Sequence, residues 1–134
     1  MYSFAEVSGY SKFGSYSGSG SSGKAVTGLG FRPAFLMVKR TDSTSNWAMY
    51  DNTRSTTNPR RKNVWANLSD EEYDNSAYDI DFDADGFTLQ TSDSQRNASS
   101  GEYIYMAFAD TREAAFFKDV TTNGNHCTSG TLSR

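Results

Sequence analysis

The stretch from Glu102 to Ala109, EYIYMAFA, alternates two sets of side chains and is the clearest β-strand in the sequence. Successive side chains of a strand point to opposite faces of its sheet, so the stretch predicts two distinct faces. These faces consist of Ile104, Met106 and Phe108 on one side and of Tyr103, Tyr105 and Ala107 on the other. The stretch therefore predicts that the protein is built on a β-sheet.

Three further stretches have the residues of short strands. Phe35 to Arg40 (FLMVKR) follows Pro33 as an apolar run beside a turn signal, which is typical of a core strand buried on both faces near its start. Residues 47–50 (WAMY) lie between polar turn residues, so we expect a hairpin that joins them to the preceding strand. Residues 24–27 (KAVT) form another short strand before a glycine-containing turn.

The composition agrees with a β-protein. Aromatic residues make up 14% of the chain and there are 11 glycines, whereas the helix-forming residues Leu, Lys and Glu are scarce. Residues 9–23 space three aromatic side chains at helix-like intervals, but their glycines and serines argue against a helix and predict a turn in the second half. Only residues 68–73 and 111–120 favour single helical turns.

We therefore expect an all-β fold, a two-sheet antiparallel β-sandwich of jelly-roll or lectin-like type with short helical turns only. A single domain is expected over residues 1–119, followed by a polar C-terminal tail over residues 120–134. A chain of this length can bury roughly two thirds of its extended-chain surface. One core is therefore enough to stabilise it.

An aspartate-rich stretch, residues 79–90 (DIDFDADGFTLQ), raises the question of a calcium site. Asp81, Asp83 and Asp85 have the spacing with which an EF-hand loop begins, but the twelfth position holds a serine instead of the required Glu. The flanking residues alternate at period two, so they predict a β-hairpin in which Gly86 takes a positive φ. We predict no metal site, and a weak calcium site of another type at the three aspartates stays open as the alternative.

Charge and cysteine content exclude several classes of protein. The formal net charge of −3 gives no electrostatic reason to expect a nucleic acid partner. The N-terminal MYSFAEVSGY lacks the basic and apolar regions of a signal peptide, and no run of about 18 apolar residues predicts a membrane span. The single cysteine cannot form an intramolecular disulfide, and with one histidine it cannot complete a zinc site.

Groups suited to catalysis are sparse. A nucleophile–base pair would have to use His126, which lies beside Cys127 in a polar segment typical of a loose turn. The paired carboxylates lie in polar surroundings, where no apolar neighbours would raise a pKa to the range needed for general acid catalysis. No glycine-rich loop opens a helix as a nucleotide-binding loop would. We therefore predict that the protein is not an enzyme, with no catalytic residues and no cofactor.

Aromatic residues supply two binding hypotheses. Trp47 and Trp65 are candidates for a sugar-stacking platform, although a tryptophan within an apolar strand is more often part of the core. Phe116 and Phe117 are adjacent and lie beyond the last clear strand, so we do not expect both to enter the core of their own domain. A subunit interface would bury the second of them.

Several motifs in a fixed order resemble a repeated module of tailed-bacteriophage virion proteins. They run from SGSGSSGKAVTGLGFRPAFLMVKR (17–40) through a tryptophan-containing strand and IDFDADGFTL (80–89) to SSGEYIYMAF (99–108). The resemblance covers about residues 17–119. Such modules occur in tail fibres and related surface proteins, especially of marine phages, and are described as concanavalin A-like or jelly-roll sandwiches.

The resemblance implies a virion structural protein on the particle surface, either a head decoration or cement protein or a tail-associated protein. It would assemble through subunit contacts, as a homo-oligomer and with other virion proteins. The alternative is a tail-fibre, receptor-binding adhesin that recognises a host surface glycan. In both cases the protein would be made in the host cytoplasm and located in the virion, with no nucleic acid or membrane as a partner.

Overall fold

The computed structural model describes residues 5–110, which form an all-β sandwich with short helical turns only, as the sequence predicts. Its strands, in chain order, are β1 (Ser11–Ser17), β2 (Lys24–Thr27), β3 (Pro33–Arg40), β4 (Ala48–Asp51), β5 (Lys62–Trp65), β6 (Tyr73–Asp74), β7 (Ile80–Asp83), β8 (Gly86–Leu89) and β9 (Glu102–Ala109). The helical turns are a 3₁₀ turn at Ser76–Tyr78 and α1 at Ser94–Asn97. Within the described residues, no helix has the length and apolarity needed to span a membrane.

Two antiparallel sheets form the layers of the sandwich. The larger sheet has the strand order β1-β9-β3-β4-β5-β6, and the smaller sheet has the order β2-β8-β7. Strand β9, the EYIYMAFA stretch, lies between β1 and β3 and pairs with both along its length. The strand that is clearest in the sequence is therefore paired on both of its edges.

The inward faces of both sheets form one hydrophobic core. Its members from the strands are Tyr16, Val26, Leu36, Val38, Ala48, Tyr50, Trp65, Ile80, Phe82, Phe87, Leu89, Tyr103, Tyr105 and Ala107. Aromatic rings join the two layers, because Phe87 of β8 packs edge-on against Tyr16 and Tyr105 at centroid distances of 5.9 and 5.3 Å. Each such pair contributes about 0.5–1.5 kcal/mol beyond the burial of its area.

The aspartate-rich stretch is a β-hairpin, as predicted, but the role of its glycine differs. Strands β7 and β8 pair from Ile80↔Leu89 to Asp83↔Gly86. Gly86 does not have the positive φ expected from the sequence. A Cβ atom at Gly86 would instead lie 2.0 Å from the carbonyl oxygen of Val26. Glycine is required there because the backbone of β2 approaches closely.

Two other stretches differ from the sequence-based expectation. Residues 68–73 do not form a helical turn, and Tyr73 begins the short edge strand β6, which pairs with β5. Residues 11–17, where no strand was expected, form β1 and pair with β9. Phe13 and Tyr16 are three residues apart in β1, and this spacing places them on opposite faces of the sheet.

Several predictions from the sequence concern residues outside the described part of the chain. They are the helical turn at 111–120, the tail at 120–134, the interface residues Phe116 and Phe117, and the His126–Cys127 pair.

Candidate functional site

The outer face of the larger sheet, which points away from the core, carries a row of apolar side chains. Strand pairing aligns one residue from each of five strands, in the order Phe13, Met106, Met37, Met49 and Val64. All five are partly exposed, and core residues occupy the alternate positions of the same strands. We call this set the outer row. The larger sheet thus has apolar side chains on both faces, whereas one face of an antiparallel sheet is usually polar.

A groove of about 370 Å³ lies against the outer row. It is lined by Phe13, Gly14, Met37, Trp47, Ile104, Tyr105 and Met106. Ile104 is 42% exposed and Trp47 is 38% exposed, so large apolar side chains are accessible here. Among the described residues that line the groove there is no carboxylate, imidazole or thiol. The groove walls are therefore suited to contact apolar groups.

A cation lies at the rim of the groove. The Nζ atom of Lys39 lies 6.0 Å from the centre of the Trp47 ring and donates a hydrogen bond to the carbonyl oxygen of Arg40 at 2.6 Å. Lys39 follows Met37 by two residues along β3, so it shares the outer face with the outer row. The groove therefore combines apolar walls with a positive charge at one side.

The two tryptophans singled out in the sequence lie in different environments. Trp65 is 6% exposed and packs in the core against Tyr73 and Tyr78, at centroid distances of 5.8 and 6.0 Å. Trp47 lines the groove instead, and its backbone N–H donates to Oδ1 of Asn67 at 3.0 Å. They do not form a shared platform, and Trp47 alone of the two is accessible.

The three aspartates of the candidate calcium site each accept hydrogen bonds from the protein. The donors are Gln90 Nε2 to Asp81 at 2.8 Å, Thr88 Oγ1 to Asp83 at 2.6 Å, and the backbone N–H groups of Gly28 and Gly30 to Asp85 at 3.1 and 2.6 Å. Within residues 5–110, no three Asp, Glu, His or Cys side chains are grouped to hold a metal ion. The Asp85 carboxylate fixes the loop after β2 to the turn between β7 and β8.

A buried arginine forms a separate polar cluster in the core. Arg96 is fully buried, donates from Nη1 to the Asp93 carboxylate at 2.7 Å, and donates from Nε to the Tyr50 hydroxyl. Its guanidinium carbon lies 4.1, 4.7 and 5.6 Å from the ring centres of Tyr78, Trp65 and Tyr50. Burial raises the pKa of Tyr50 to about 12, although the Arg96 charge acts in the opposite direction. Because Arg96 is inaccessible, this cluster supports the fold and not a ligand.

The sequence singled out Trp47, but not the other residues that make the groove. The apolar run Phe35 to Arg40 predicts a strand buried on both faces near its start, but Phe35 and Met37 are partly exposed in the structure. The alternation of Glu102 to Ala109 places Ile104 on one strand face and predicts no surface role for it. The signal was nevertheless present in EYIYMAFA, because both faces of that strand carry large apolar side chains. Only one face of a sheet can pack on the core of a two-layer sandwich, so the other must remain at the surface.

Comparisons with known proteins identify the chain at the level of its family. It matches a family described as a domain of unknown function, DUF7483, over residues 1–112. Neither the curated proteins nor the solved structures contain a match. The matched range includes every described strand and all residues that line the groove. Since the match covers most of its 134 residues, the chain belongs to the DUF7483 family.

Proposed function

We propose that this chain is a non-enzymatic structural protein of a tailed-bacteriophage particle, on whose surface it assembles through contacts with neighbouring subunits. The observation that carries the proposal is the apolar outer face of the larger sheet with its groove. The assignment to a phage particle rests on the resemblance of the ordered sequence motifs to phage virion modules. The β-sandwich fold agrees with such a module.

The extent of the outer face favours a protein partner. Five strands at about 4.8 Å spacing make the outer row about 19 Å long. Soluble monomers rarely expose a continuous apolar patch larger than a few hundred Å² unless it is used for binding. Methionine and aromatic residues, which dominate this face, are also enriched in the centres of protein interfaces. A neighbouring subunit of the particle would cover such a surface.

The groove also supports the non-enzymatic part of the proposal. General acid–base and nucleophilic catalysis need a positioned group that accepts or donates a proton at working pH. Among the described lining residues, the hydroxyl of Tyr105 is the one side-chain group that can lose a proton, and burial raises its pKa above the ordinary value. Such a group holds its proton at neutral pH and does not serve as a base.

Trp47 supports a second candidate function, a tail-fibre adhesin that binds a host glycan. Trp47 is 38% exposed, and the Asn67 side chain, which accepts from the Trp47 backbone N–H, donates to Oδ1 of Asn46 at 2.9 Å. An aromatic ring with neighbouring amides is a common way to stack and hydrogen-bond a sugar. The groove walls themselves, which are formed by Met37, Ile104 and Met106, favour the protein partner.

Labelling intact particles with an antibody against this chain, followed by electron microscopy, tests the proposal. Signal over the capsid supports a head decoration or cement protein, and signal along the tail supports a tail-associated protein. Absence of the chain from purified particles would overturn the virion assignment. A glycan array tests the second candidate: binding that is lost in Trp47→Ala would favour the adhesin over the structural protein.

A further inference from the structure

We propose that Arg32 and Arg60 form a binding site for a phosphate or sulfate group at the outer edge of the smaller sheet. This site is separate from the groove and goes beyond the proposed function. Three observations carry it. Neither arginine has an acidic partner among the described residues, both contact Phe82, and the nitrogen atoms that they leave unbonded reach the surface.

The lack of an acidic partner sets these two arginines apart. Residues 5–110 contain six arginines, and four of them form ion pairs with carboxylates, namely Arg40, Arg54, Arg61 and Arg96. Within the same residues, no carboxylate oxygen lies within 4.0 Å of a side-chain nitrogen of Arg32 or Arg60. Arg60 is nevertheless only 6% exposed. Because a buried charge without an anion is costly, an anionic ligand would stabilise this arrangement.

Two loops bring both guanidinium groups to Phe82 of β7. Arg60 pairs with Ile80 along the outer edge of this strand, through backbone hydrogen bonds of 2.6 and 3.2 Å. The amide of Asn58 continues that edge, because it donates to the Phe82 carbonyl oxygen and accepts from the Phe82 N–H, both at 2.9 Å. Arg32 Nη1, from the loop between β2 and β3, donates to the same carbonyl oxygen. The guanidinium carbon of Arg60 lies 5.0 Å from the centre of the Phe82 ring.

Arg60 is held in place by neutral acceptors only. Its Nε atom donates to Oδ1 of Asn58 at 3.0 Å, and its Nη1 atom donates to the carbonyl oxygen of Ser55. These bonds fix the guanidinium group without balancing its charge. Within residues 5–110, the buried side-chain atoms that lack a partner belong to Asn63 and Arg96 alone. The Nη2 atom of Arg60, which has no hydrogen bond there, therefore reaches the surface.

Arg32 supplies a second set of donors beside it. The residue is exposed, and Nη1 is its one hydrogen-bonded nitrogen within the described part of the chain. The Phe82 carbonyl oxygen already accepts from Asn58, so the Arg32 bond is not needed to satisfy it. Nε and Nη2 stay unbonded and form one edge of the planar guanidinium group. Such an edge matches two oxygens of a phosphate or sulfate group.

The local charge favours an anion with two negative charges. Burial lowers the pKa of Arg60, and the Arg32 charge lowers it further, while Asp81 has the smallest effect and acts in the opposite direction. The Asp81 carboxylate instead accepts from Gln90 Nε2 at 2.8 Å. Arginine keeps its proton even so, and two neighbouring cations repel each other. A phosphate or sulfate dianion offsets both charges, whereas acetate or chloride offsets one.

Isothermal titration calorimetry of the full-length chain with inorganic phosphate tests the site. Arg32→Gln removes the exposed guanidinium group, and Arg60→Gln removes the buried one. Arg61→Gln is the matched control, because it removes the same charge at the next position, where Arg61 pairs with Asp79 at 2.9 Å. We expect wild type and Arg61→Gln to bind one phosphate saturably with similar affinity. Binding should weaken about tenfold or more in Arg32→Gln and Arg60→Gln.

Competing anions identify the chemistry that is recognised. The titrations are made at about pH 8, where phosphate is mostly a dianion, and sodium chloride keeps the ionic strength constant. Sulfate should compete with phosphate, and acetate at the same concentration should not. Methyl phosphate distinguishes two sources of the group. Tighter binding than inorganic phosphate supports a phosphate ester as the ligand, and equal or weaker binding supports the free ion.

Three results would overturn the proposal. They are the absence of saturable phosphate binding to wild type up to about 20 mM, equal weakening in Arg61→Gln, and competition by acetate as strong as that by sulfate. The last two would mean that binding follows net charge. Circular dichroism checks that each variant is folded, and the exposed Arg32→Gln carries the test if Arg60→Gln is not. None of these measurements depends on the particle or on subunit contacts, so their outcome is independent of the proposed function.

Discussion

At the scale of single residues, Arg96 is unusual because it places a charged side chain in the interior of the protein. It is fully buried, and its charge is balanced by Asp93 and by the faces of Tyr78 and Trp65. A buried charge is tolerated only when it is paired and hydrogen-bonded. The hydroxyl of Tyr50 adds a further acceptor. The arginine therefore joins α1 to the larger sheet through the core.

We predict that Arg96→Ala lowers the free energy of unfolding by about 3–5 kcal/mol, because it opens a cavity and removes the partner of Asp93. Arg96→Met should cost less, about 1–3 kcal/mol, since the methionine fills part of the space between the rings and Asp93 is partly exposed to water. Urea denaturation measures both. Equal losses for the two variants would show that packing against the aromatic rings contributes little.

The role of Arg96 could not be predicted from the sequence. The surrounding residues 91–100 (TSDSQRNASS) are polar and resemble an exposed loop. Arg96 is buried because Asp93 caps the start of α1 by accepting a hydrogen bond from the Gln95 N–H. This cap sets the direction of the short helix, so that Arg96 points inward. By contrast, the burial of Tyr103 and Tyr105 was predictable, because both belong to one face of an alternating strand. Periodicity reveals a strand face, but it carries no information about a single inward-pointing residue of a four-residue helix.

At the scale of elements, the contact between β2 and β8 depends on Gly86. We predict that Gly86→Ala costs about 1–3 kcal/mol, because the added methyl group would press against the Val26 carbonyl oxygen and force the backbones apart. Ala25→Ser, on the exposed face of β2, is the control and should change stability by less than about 0.5 kcal/mol. Thermal unfolding compares the two. A Gly86→Ala protein as stable as wild type would mean that the strands separate without cost.

The elements differ in how far the sequence determined them. Strands β3, β8 and β9 were predictable because their apolar positions recur at a period of two or form a continuous run. Strand β1 was not, because Gly14 and its serines weaken β-propensity, and pairing with β9 decides its structure instead. Tyr73 was expected in a helical turn for a similar reason, since a local capping pattern is weaker than pairing with a neighbouring strand.

At the scale of the whole molecule, the sandwich has one closed core and one accessible apolar face. The core forms because the inward faces of both sheets meet, and the outer row results from the same alternation continued on the other side of the larger sheet. Fold class was therefore predictable from periodicity, whereas the outer row depends on the register of five strands, which no local pattern encodes. The proposed assembly through this face follows from that register.

The density of tyrosine in the core predicts a specific response of the whole molecule to alkaline pH. Burial raises the pKa of Tyr16, Tyr50, Tyr103 and Tyr105 above the ordinary value. An unfolded tyrosine ionises near pH 10, so the folded state binds more protons than the unfolded state above that pH. Stability is therefore full below about pH 10 and falls as pH rises through the folded values.

For Tyr50, whose folded pKa is about 12, the loss is about 1.4 kcal/mol per pH unit between pH 10 and 12, or about 3 kcal/mol in total. We expect denaturant midpoints that are constant from pH 7 to 9 and drop steeply above pH 10. Tyr50→Phe should be less stable at neutral pH, because it loses the hydrogen bonds to Arg96 and to the Tyr78 carbonyl, yet its alkaline slope should be shallower by one proton. A Tyr50→Phe protein with the wild-type slope would contradict this assignment, since the group responsible would then be another tyrosine of the core.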